Sequence, residues 1–288
     1  MSFAINTNVT ALNVLFSLGQ SQNALQNTSE QLSSGYQINS AADNAAGLSI
    51  ATKMTNQVNG LNQGSQNAQD GLSMLQTMEG GIKSIQDMLA RMRTLALQAA
   101  NGTQTTADRS QITTELSQIQ AEITRTAQTT QFNTKTLLTG IATNGVTFQV
   151  GALASGTQTI TLNYANANVT ASGLGIGANG NSIINISSGT GTSQTQAASA
   201  LVGLLDKAIS TVSQFDANVG AVEDRLNFAV TNLQTESTNI STAKSRIMDT
   251  NMASAMTAFT QQQVLVQAGI SMLSQAQQMP SMVLKLLQ

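Results

Sequence analysis

The feature that most constrains this sequence is an apolar stripe that recurs at alternating steps of three and four residues. It consists of Ala51, Met54, Val58, Leu61, Ser65, Ala68, Leu72 and Leu75 and, after one change of phase, of Met78, Ile82, Ile85, Leu89, Met92 and Ala96. The alternation averages 3.5 residues per turn, the repeat of helices that wind around partner helices. A helix of this length would span roughly 75 Å, so the stripe predicts a rod. Glycines such as Gly60, Gly64 and Gly71 count against an unbroken helix, because each costs about 1 kcal/mol relative to Ala.

Both ends of the chain carry shorter stripes with helical spacing. The amino-terminal stripe consists of Ile5, Val9, Leu12, Leu15, Leu18, Leu25 and Leu32, and Gly35 is placed to end that helix. The carboxyl-terminal stripe consists of Met256, Phe259, Val266, Ile270, Leu273, Leu284 and Leu287. Pro280 is expected to interrupt or kink its last turns. Similar spacing over 112–123 and 215–247 predicts two further helical stretches.

The middle of the chain has a different pattern. Val146, Phe148 and Val150 alternate with polar residues, as do Ile160 and Leu162, which predicts a β-hairpin. Residues 165–195 are rich in Gly, Asn, Ser and Thr, and this composition is typical of an exposed loop or a short extra strand. The predicted fold is therefore mainly α, with helices from both chain ends and a small central β-hairpin region.

The composition excludes several classes of function. The chain has no Cys and no His, so it cannot build a thiolate or imidazole metal site, or a nucleophile paired with histidine. The isolated carboxylates Asp87, Glu223 and Asp224 are better explained as solvated helix faces than as catalytic acids. A net charge of -2 and a first basic residue at Lys53 argue against nucleic acid, against anionic membranes and against a cleaved secretory signal. No enzyme activity, cofactor or membrane insertion is expected.

Short sequence blocks near both ends are more specific than generic helices. At the amino-terminal end these are residues 5–9, 12–13, 31–35, 38–41, 45–48, 70–71, 95–103 and 130–133, and at the other end 243–247, 267–269, 275–280 and 283–284. Together they resemble the terminal regions of bacterial flagellins, over roughly 1–140 and 195–288. The chain departs from the family pattern at Tyr36, where the family commonly has Leu, and at Gln37, Ala42, Asn44 and Gln288, where neutral side chains replace charged ones.

The resemblance implies a nested architecture and a polymer. Residues 1–44 and 248–288 would form an inner coiled coil, 45–140 and 195–247 a helical rod, and 141–194 the hairpin and exposed loop region. By resemblance, such a chain is exported through a type III apparatus and polymerises into the extracellular filament used for motility. The partners implied are many copies of the chain itself, the flagellar cap, hook-associated proteins, an export chaperone and the export apparatus.

A second resemblance concerns a host receptor. The segment 89–96 is similar to the helix that flagellin-sensing Toll-like receptors grip in the family. The match implies Arg91, Leu95 and Glu122 as contact residues, although Thr94 stands where the family often has Glu. Packing between subunits is the alternative role for the same segment.

The terminal stripes lead to a hypothesis about assembly. An isolated amphipathic end with few aromatic residues cannot offset its own ordering entropy, so the stripes would be completed only when sister molecules cover them. Two other functions fit the same sequence pattern. A hook-filament junction protein would share the paired ends but form a short ring, and an intracellular coiled-coil scaffold would form no tube.

Overall fold

The computed structural model describes residues 8–140, 145–153, 156–163, 168–177, 185–187 and 191–286, with the backbone alone for 279–286. The helices within these ranges are α1 (Val9–Ser34), α2 (Ala41–Ala100), α3 (Thr106–Thr129), α4 (Gly191–Met248) and α5 (Met252–Leu286). The strands are β1 (Gln131–Phe132), β2 (Lys135–Thr136), β3 (Val146–Gln149) and β4 (Thr159–Leu162), with a 3₁₀ turn at Gly156–Gln158. They pair as two antiparallel two-stranded sheets, β1–β2 and β3–β4. The predicted fold class is confirmed.

The chain divides into two compact units. One comprises Met1–Val58 and Thr238–Gln288, and the other is Asn59–Ser237. Each unit is built mainly from helix-on-helix packing.

The core of the unit Asn59–Ser237 lies along the second half of the predicted stripe. Met78, Ile82, Ile85, Leu89 and Met92 are completely buried. They are matched by buried residues of α3 and α4, among them Leu116, Ile123, Leu201, Leu205, Val212, Phe215 and Leu226. The heptad-like spacing in the sequence therefore marks a true core face, and the predicted long helix is confirmed.

Gly60, Gly64 and Gly71 do not break α2, and they give the β-hairpin room to approach it. A methyl group added to Gly64 would lie 2.9 Å from the carbonyl oxygen of Val150, and one added to Gly60 would lie 2.7 Å from Cβ of Ala152. A methyl group on Gly71 would come within 2.8 Å of the Phe148 ring. Glycine lowers the helix propensity at these positions, but it allows the hairpin to pack closely against α2.

Both α2 and α3 begin at identifiable caps. Asn44, with φ -163° and ψ 94°, lies outside helical geometry, and its Oδ1 accepts a hydrogen bond from the Gly47 amide at 2.8 Å. The long helix is therefore capped at Asn44. In the short turn before it, Oδ2 of Asp43 accepts hydrogen bonds from the Ser40 amide at 2.9 Å and from the Ser40 hydroxyl at 3.2 Å. Thr105 and Asp108 form a complete capping box at the start of α3.

A buried arginine joins three parts of this unit. Arg109 is 3% exposed, and its guanidinium donates hydrogen bonds to the carbonyls of Ala99 at 2.9 Å and Asn101 at 3.0 Å and to Oε1 of Gln194 at 3.0 Å. Gln194 in turn donates to the carbonyl of Ser187 at 2.8 Å. The side chain satisfies the Ala99 carbonyl in the last turn of α2, and it adds a second donor to the Asn101 carbonyl, which also accepts from the Gln104 amide.

The central β region follows the predicted alternation. Val146 pairs with Leu162 and Phe148 pairs with Ile160 across the β3–β4 hairpin. Residues 168–177, however, are not simply an exposed loop, because Val169 and Ile176 are completely buried and Asn168 forms a β-bridge with Thr139. The apolar residues in this Gly-rich stretch were too few to reveal that packing in the sequence.

The other unit contains α1 and α5, which run antiparallel. Asn8 reaches Ala276, Leu18 lies against Gly269, and Tyr36 forms an antiparallel bridge with Asp249. Gly35 ends α1 in the left-handed conformation with φ 76°, as predicted. α5 continues past Pro280 to Leu286, so the proline does not end the helix.

Candidate assembly surface on the terminal helices

The faces that α1 and α5 turn toward each other form what we call the inner seam. Its members are the less exposed positions, and they follow alternating steps of three and four residues, as in a coiled coil. On α1 they are Ala11, Val14, Leu18, Ser21, Leu25, Thr28 and Leu32, and on α5 they are Ala255, Phe259, Gln262, Val266, Gly269, Leu273 and Ala276. Many are small or polar, and no residue of α1 is fully buried. The seam is thin and covers only one side of each helix.

The remaining apolar residues of the two helices form what we call the outer stripe. They are exposed by 45% to 70% in the single chain, namely Val9, Leu12, Leu15, Phe16, Met252, Met256, Val264, Leu265, Ile270 and Met272. So many exposed large apolar side chains on two helices are unusual on a protein that acts as a monomer, and they predict that other molecules cover these helices.

The structure divides the residues predicted to form one polymerisation seam between these two surfaces. Six of them lie in the inner seam, namely Leu18, Leu25, Leu32, Phe259, Val266 and Leu273, and five lie in the outer stripe, namely Val9, Leu12, Leu15, Met256 and Ile270. Ile5, Leu287 and the side chain of Leu284 fall outside the described residues. Their common role in polymerisation stays a prediction.

Several members of these surfaces were missed at the level of sequence. Phe16, Val264, Leu265 and Met272 fell outside a stripe drawn through the most regular large residues. The seam positions Ala11, Ser21, Thr28 and Gly269 were missed because only large side chains were followed. A search for steps of three and four that admitted Ala, Ser, Thr and Gly would have found the seam.

The two helices carry almost no charge. Residues 8–29 contain no Asp, Glu, Lys or Arg, nor do residues 250–278. Gln, Asn, Ser and Thr supply the polar surface instead. Ion pairs therefore cannot orient residues 8–29 and 250–278 against each other.

The residues predicted to contact a receptor lie elsewhere, on α2 and α3. Arg91 is exposed and forms an ion pair with Glu115 at 2.7 Å. Glu122 is half-buried, with 46% of its side chain exposed, and it is paired with Arg125, whose hydrogen bond lowers the pKa of the Glu122 carboxyl. Leu95 is only 2% exposed, so in this conformation its side chain packs in the core and does not face solvent. The receptor contact stays a prediction.

Similarity to known proteins identifies the family to which this chain belongs. A family model described as the bacterial flagellin N-terminal helical region matches residues 5–143, and one described as the bacterial flagellin C-terminal helical region matches residues 202–287. The chain belongs to the bacterial flagellin family. The flagellin of Bacillus subtilis (strain 168) is 40% identical, with 98% of this chain and 99% of that protein covered. A flagellar filament 33 kDa core protein of Treponema phagedenis is 37% identical over the same shares of the two chains.

A solved structure shares the fold. A putative flagellar hook-associated protein from Vibrio parahaemolyticus matches with a TM-score of 0.58 and 16% identity, over 72% of this chain and 100% of that one. At this identity the likeness concerns the fold alone. Because the full-length relatives are filament proteins, the junction-protein alternative is not favoured.

As a flagellin, the chain is a structural subunit of the flagellar filament and not an enzyme. The matches to two of its relatives cover 98% of this chain and 99% of theirs. None of the helices in the described ranges is long and apolar enough to cross a membrane.

Proposed function

We propose that copies of this flagellin polymerise by covering one another's outer stripes. The observation that carries the proposal is that α1 and α5 already use their inner seam on each other, which leaves ten large apolar side chains exposed along both helices. Burying apolar surface contributes about 25 cal/mol per Å², and this is the driving force available to a chain with so few charges. Contacts between copies that do not close on themselves generate a helical fibre.

The thin inner seam supports coupled folding and assembly. No residue of α1 is fully buried in the single chain, and most helical stability in proteins comes from packing of an apolar face. The α1–α5 pair is therefore marginal by itself and gains its full stability only when neighbours cover it.

The lack of charge on these helices fits a place along a channel. A polar wall without fixed charge holds a passing unfolded chain weakly, because it offers no ion pairs. We assign the neutral faces of residues 8–29 and 250–278 to such a wall and the apolar faces to contacts between subunits. Residues 1–44 and 248–288 then act as the inner domain, 45–140 and 195–247 as the rod, and 141–194 as the hairpin and loop region.

The proposal includes a route and partners. The chain would leave the cell by type III export with a chaperone and add to an extracellular filament beneath a cap. Hook-associated proteins would join the filament to the rest of the flagellum. Recognition by a host Toll-like receptor would use Arg91 and Glu122, and loss of receptor signalling in an Arg91→Ala variant would test it.

The decisive experiment replaces part of the outer stripe. A variant with Leu12→Gln, Leu15→Gln and Phe16→Gln keeps helical propensity, because Gln is a good helix former, and removes the apolar face. We expect its critical concentration for polymerisation to rise at least about tenfold, which corresponds to about 1.4 kcal/mol per added subunit. Sedimentation and electron microscopy would measure it.

The matched control changes exposed polar residues of the same helix. A variant with Asn13→Ser, Gln20→Ser and Gln22→Ser should polymerise at close to the wild-type concentration. If the Leu12, Leu15 and Phe16 variant formed filaments as readily as the control, the outer stripe would not be the assembly surface. Short rings from the wild-type chain would instead indicate a junction protein, and soluble dimers a scaffold.

A further inference from the structure

Asn8 is placed to make two contacts at once at the open end of the α1–α5 pair. Its Oδ1 accepts a hydrogen bond from the Ala11 amide at 3.0 Å and so caps α1. Its Nδ2 donates to the carbonyl oxygen of Ala276 on α5 at 2.7 Å. Asn8 is half-buried and Ala276 is 6% exposed, so this contact is sheltered from water.

The carbonyl that Asn8 reaches is a special one. In an α-helix the carbonyl of residue 276 would accept a hydrogen bond from the amide of residue 280. Residue 280 is Pro, which has no amide hydrogen, and α5 nevertheless continues to Leu286. Ala276 therefore lacks its helical donor, and a buried carbonyl without a donor is costly.

We propose that Asn8 and Pro280 act together as a clasp that holds the open end of the α1–α5 pair in one register. Pro280 frees the Ala276 carbonyl, and the Asn8 side chain is the donor that takes its place. A shift of one helix along the other would leave the carbonyl without a partner while keeping the rest of the seam nearly unchanged.

Register needs such a device in this pair. The inner seam repeats similar small and aliphatic residues, and without charged side chains in 8–29 and 250–278 no ion pair can select one alignment. At the other end, two backbone hydrogen bonds join the segments that follow α1 and α4. The Gln37 amide donates to the Met248 carbonyl at 2.7 Å, and the Thr250 amide donates to the Gly35 carbonyl at 2.8 Å. Asn8 lies about 40 Å from there along α1 at about 1.5 Å per residue, so the open end requires its own contact.

The register can be read with a single engineered disulfide, since the chain has no Cys. A Cβ on Gly269 would lie 3.7 Å from Cβ of Leu18, close to the mean separation of about 3.8 Å in disulfides. The Leu18→Cys, Gly269→Cys pair should therefore close within one chain in the native register. A Leu18→Cys, Val266→Cys pair reports a shifted register. Gel mobility under denaturing conditions separates bonds within a chain from bonds between chains, so the readout does not depend on filament formation.

Two substitutions at position 8 separate the donor from the cap. Asn8→Asp keeps the shape and the capping oxygen but has no donor, and Asn8→Ser keeps a capping oxygen but is too short to reach Ala276. Both should slow closure of the native pair by about tenfold, because the Ala276 carbonyl loses its donor. Asn13→Asp, at an exposed position of α1, controls for the added charge and should leave closure unchanged.

Restoring the helical donor decides the proposal. Pro280→Ala returns an amide hydrogen to residue 280, so Asn8→Ser combined with Pro280→Ala should slow closure by less than about threefold. The clasp is refuted if Asn8→Asp and Asn8→Ser close at the rate of Asn13→Asp. It is also refuted if Asn8→Ser slows closure equally with and without Pro280, because Asn8 would then act only as a cap.

Discussion

At the scale of single residues, the direction of an apolar side chain decides whether it serves the core or a neighbour. Phe215 and Phe228 lie on the same helix, yet Phe215 is 1% exposed and Phe228 is 76% exposed. The two side chains are identical, but their positions on α4 place one in the core and the other in solvent. The same distinction separates Leu18 in the inner seam from Leu12 in the outer stripe.

The two phenylalanines give a matched test of the core. Phe215→Ala should lower the free energy of unfolding of the isolated subunit by about 3–5 kcal/mol, because it leaves a cavity among completely buried residues. Phe228→Ala should change it by less than about 0.5 kcal/mol. Urea denaturation followed by circular dichroism measures both, and equal losses from the two variants would contradict the described core.

The capping box of α3 predicts a dependence on pH. Hydrogen bonds from the Thr105 hydroxyl at 2.7 Å and amide at 2.9 Å lower the pKa of the Asp108 carboxyl from its ordinary value of 3.8. Because the folded-state pKa is the lower one, the stabilisation is complete above pH 3.8 and is lost as the pH falls through the depressed value. Melting temperatures of the wild type and an Asp108→Asn variant should therefore differ near neutral pH and converge in strong acid. A difference that persisted unchanged in acid would rule out the carboxylate as its source.

At the scale of elements, α2 shows which parts of the fold the sequence could predict. Its stripe predicted a long helix because steps of three and four residues admit no strand, and Leu89 and Met92 are indeed completely buried. The role of its glycines could not be predicted, since Gly64 meets Val150, which is distant in sequence. The contact between Arg109 and Gln194 was hidden for the same reason, being 85 residues apart.

The terminal helices show the same limit more sharply. The large residues of 9–32 predicted an amphipathic helix, but not that two different faces carry them. The contact of Ala276 with Asn8 joins positions 268 residues apart, so no local sequence pattern predicts it. Periodicity predicts which element forms, and the partner of each face emerges only from the folded chain.

The glycines of α2 allow a test in which two positions of the same helix should respond in opposite directions. Gly80→Ala meets nothing within 4 Å, so it should stabilise the subunit by up to about 1 kcal/mol through helix propensity alone. Gly64→Ala should destabilise it by about 1–3 kcal/mol despite the same gain in propensity, because the new methyl group meets the hairpin backbone. Thermal unfolding of the two variants measures the difference. Stabilisation by Gly64→Ala would show that the hairpin does not pack there.

At the scale of the whole molecule, the two units differ in how completely they bury their apolar side chains. The unit Asn59–Ser237 contains most of the completely buried side chains, whereas α1 has none and both terminal helices keep apolar faces in water. On the proposal made above, the unit with α1 and α5 is completed only when copies of the chain cover these faces in the filament.

Methionine oxidation tests this account most directly. Met252, Met256 and Met272 lie in the outer stripe and are 48% to 58% exposed, whereas Met78 and Met92 are completely buried and serve as internal references. Mild peroxide should oxidise the three outer methionines readily in free subunits and at least about tenfold more slowly in preformed filaments, because neighbouring subunits cover them. Mass spectrometry would quantify each site. Oxidation of these methionines at equal rates in subunits and filaments would contradict the claim that sister molecules bury the outer stripe.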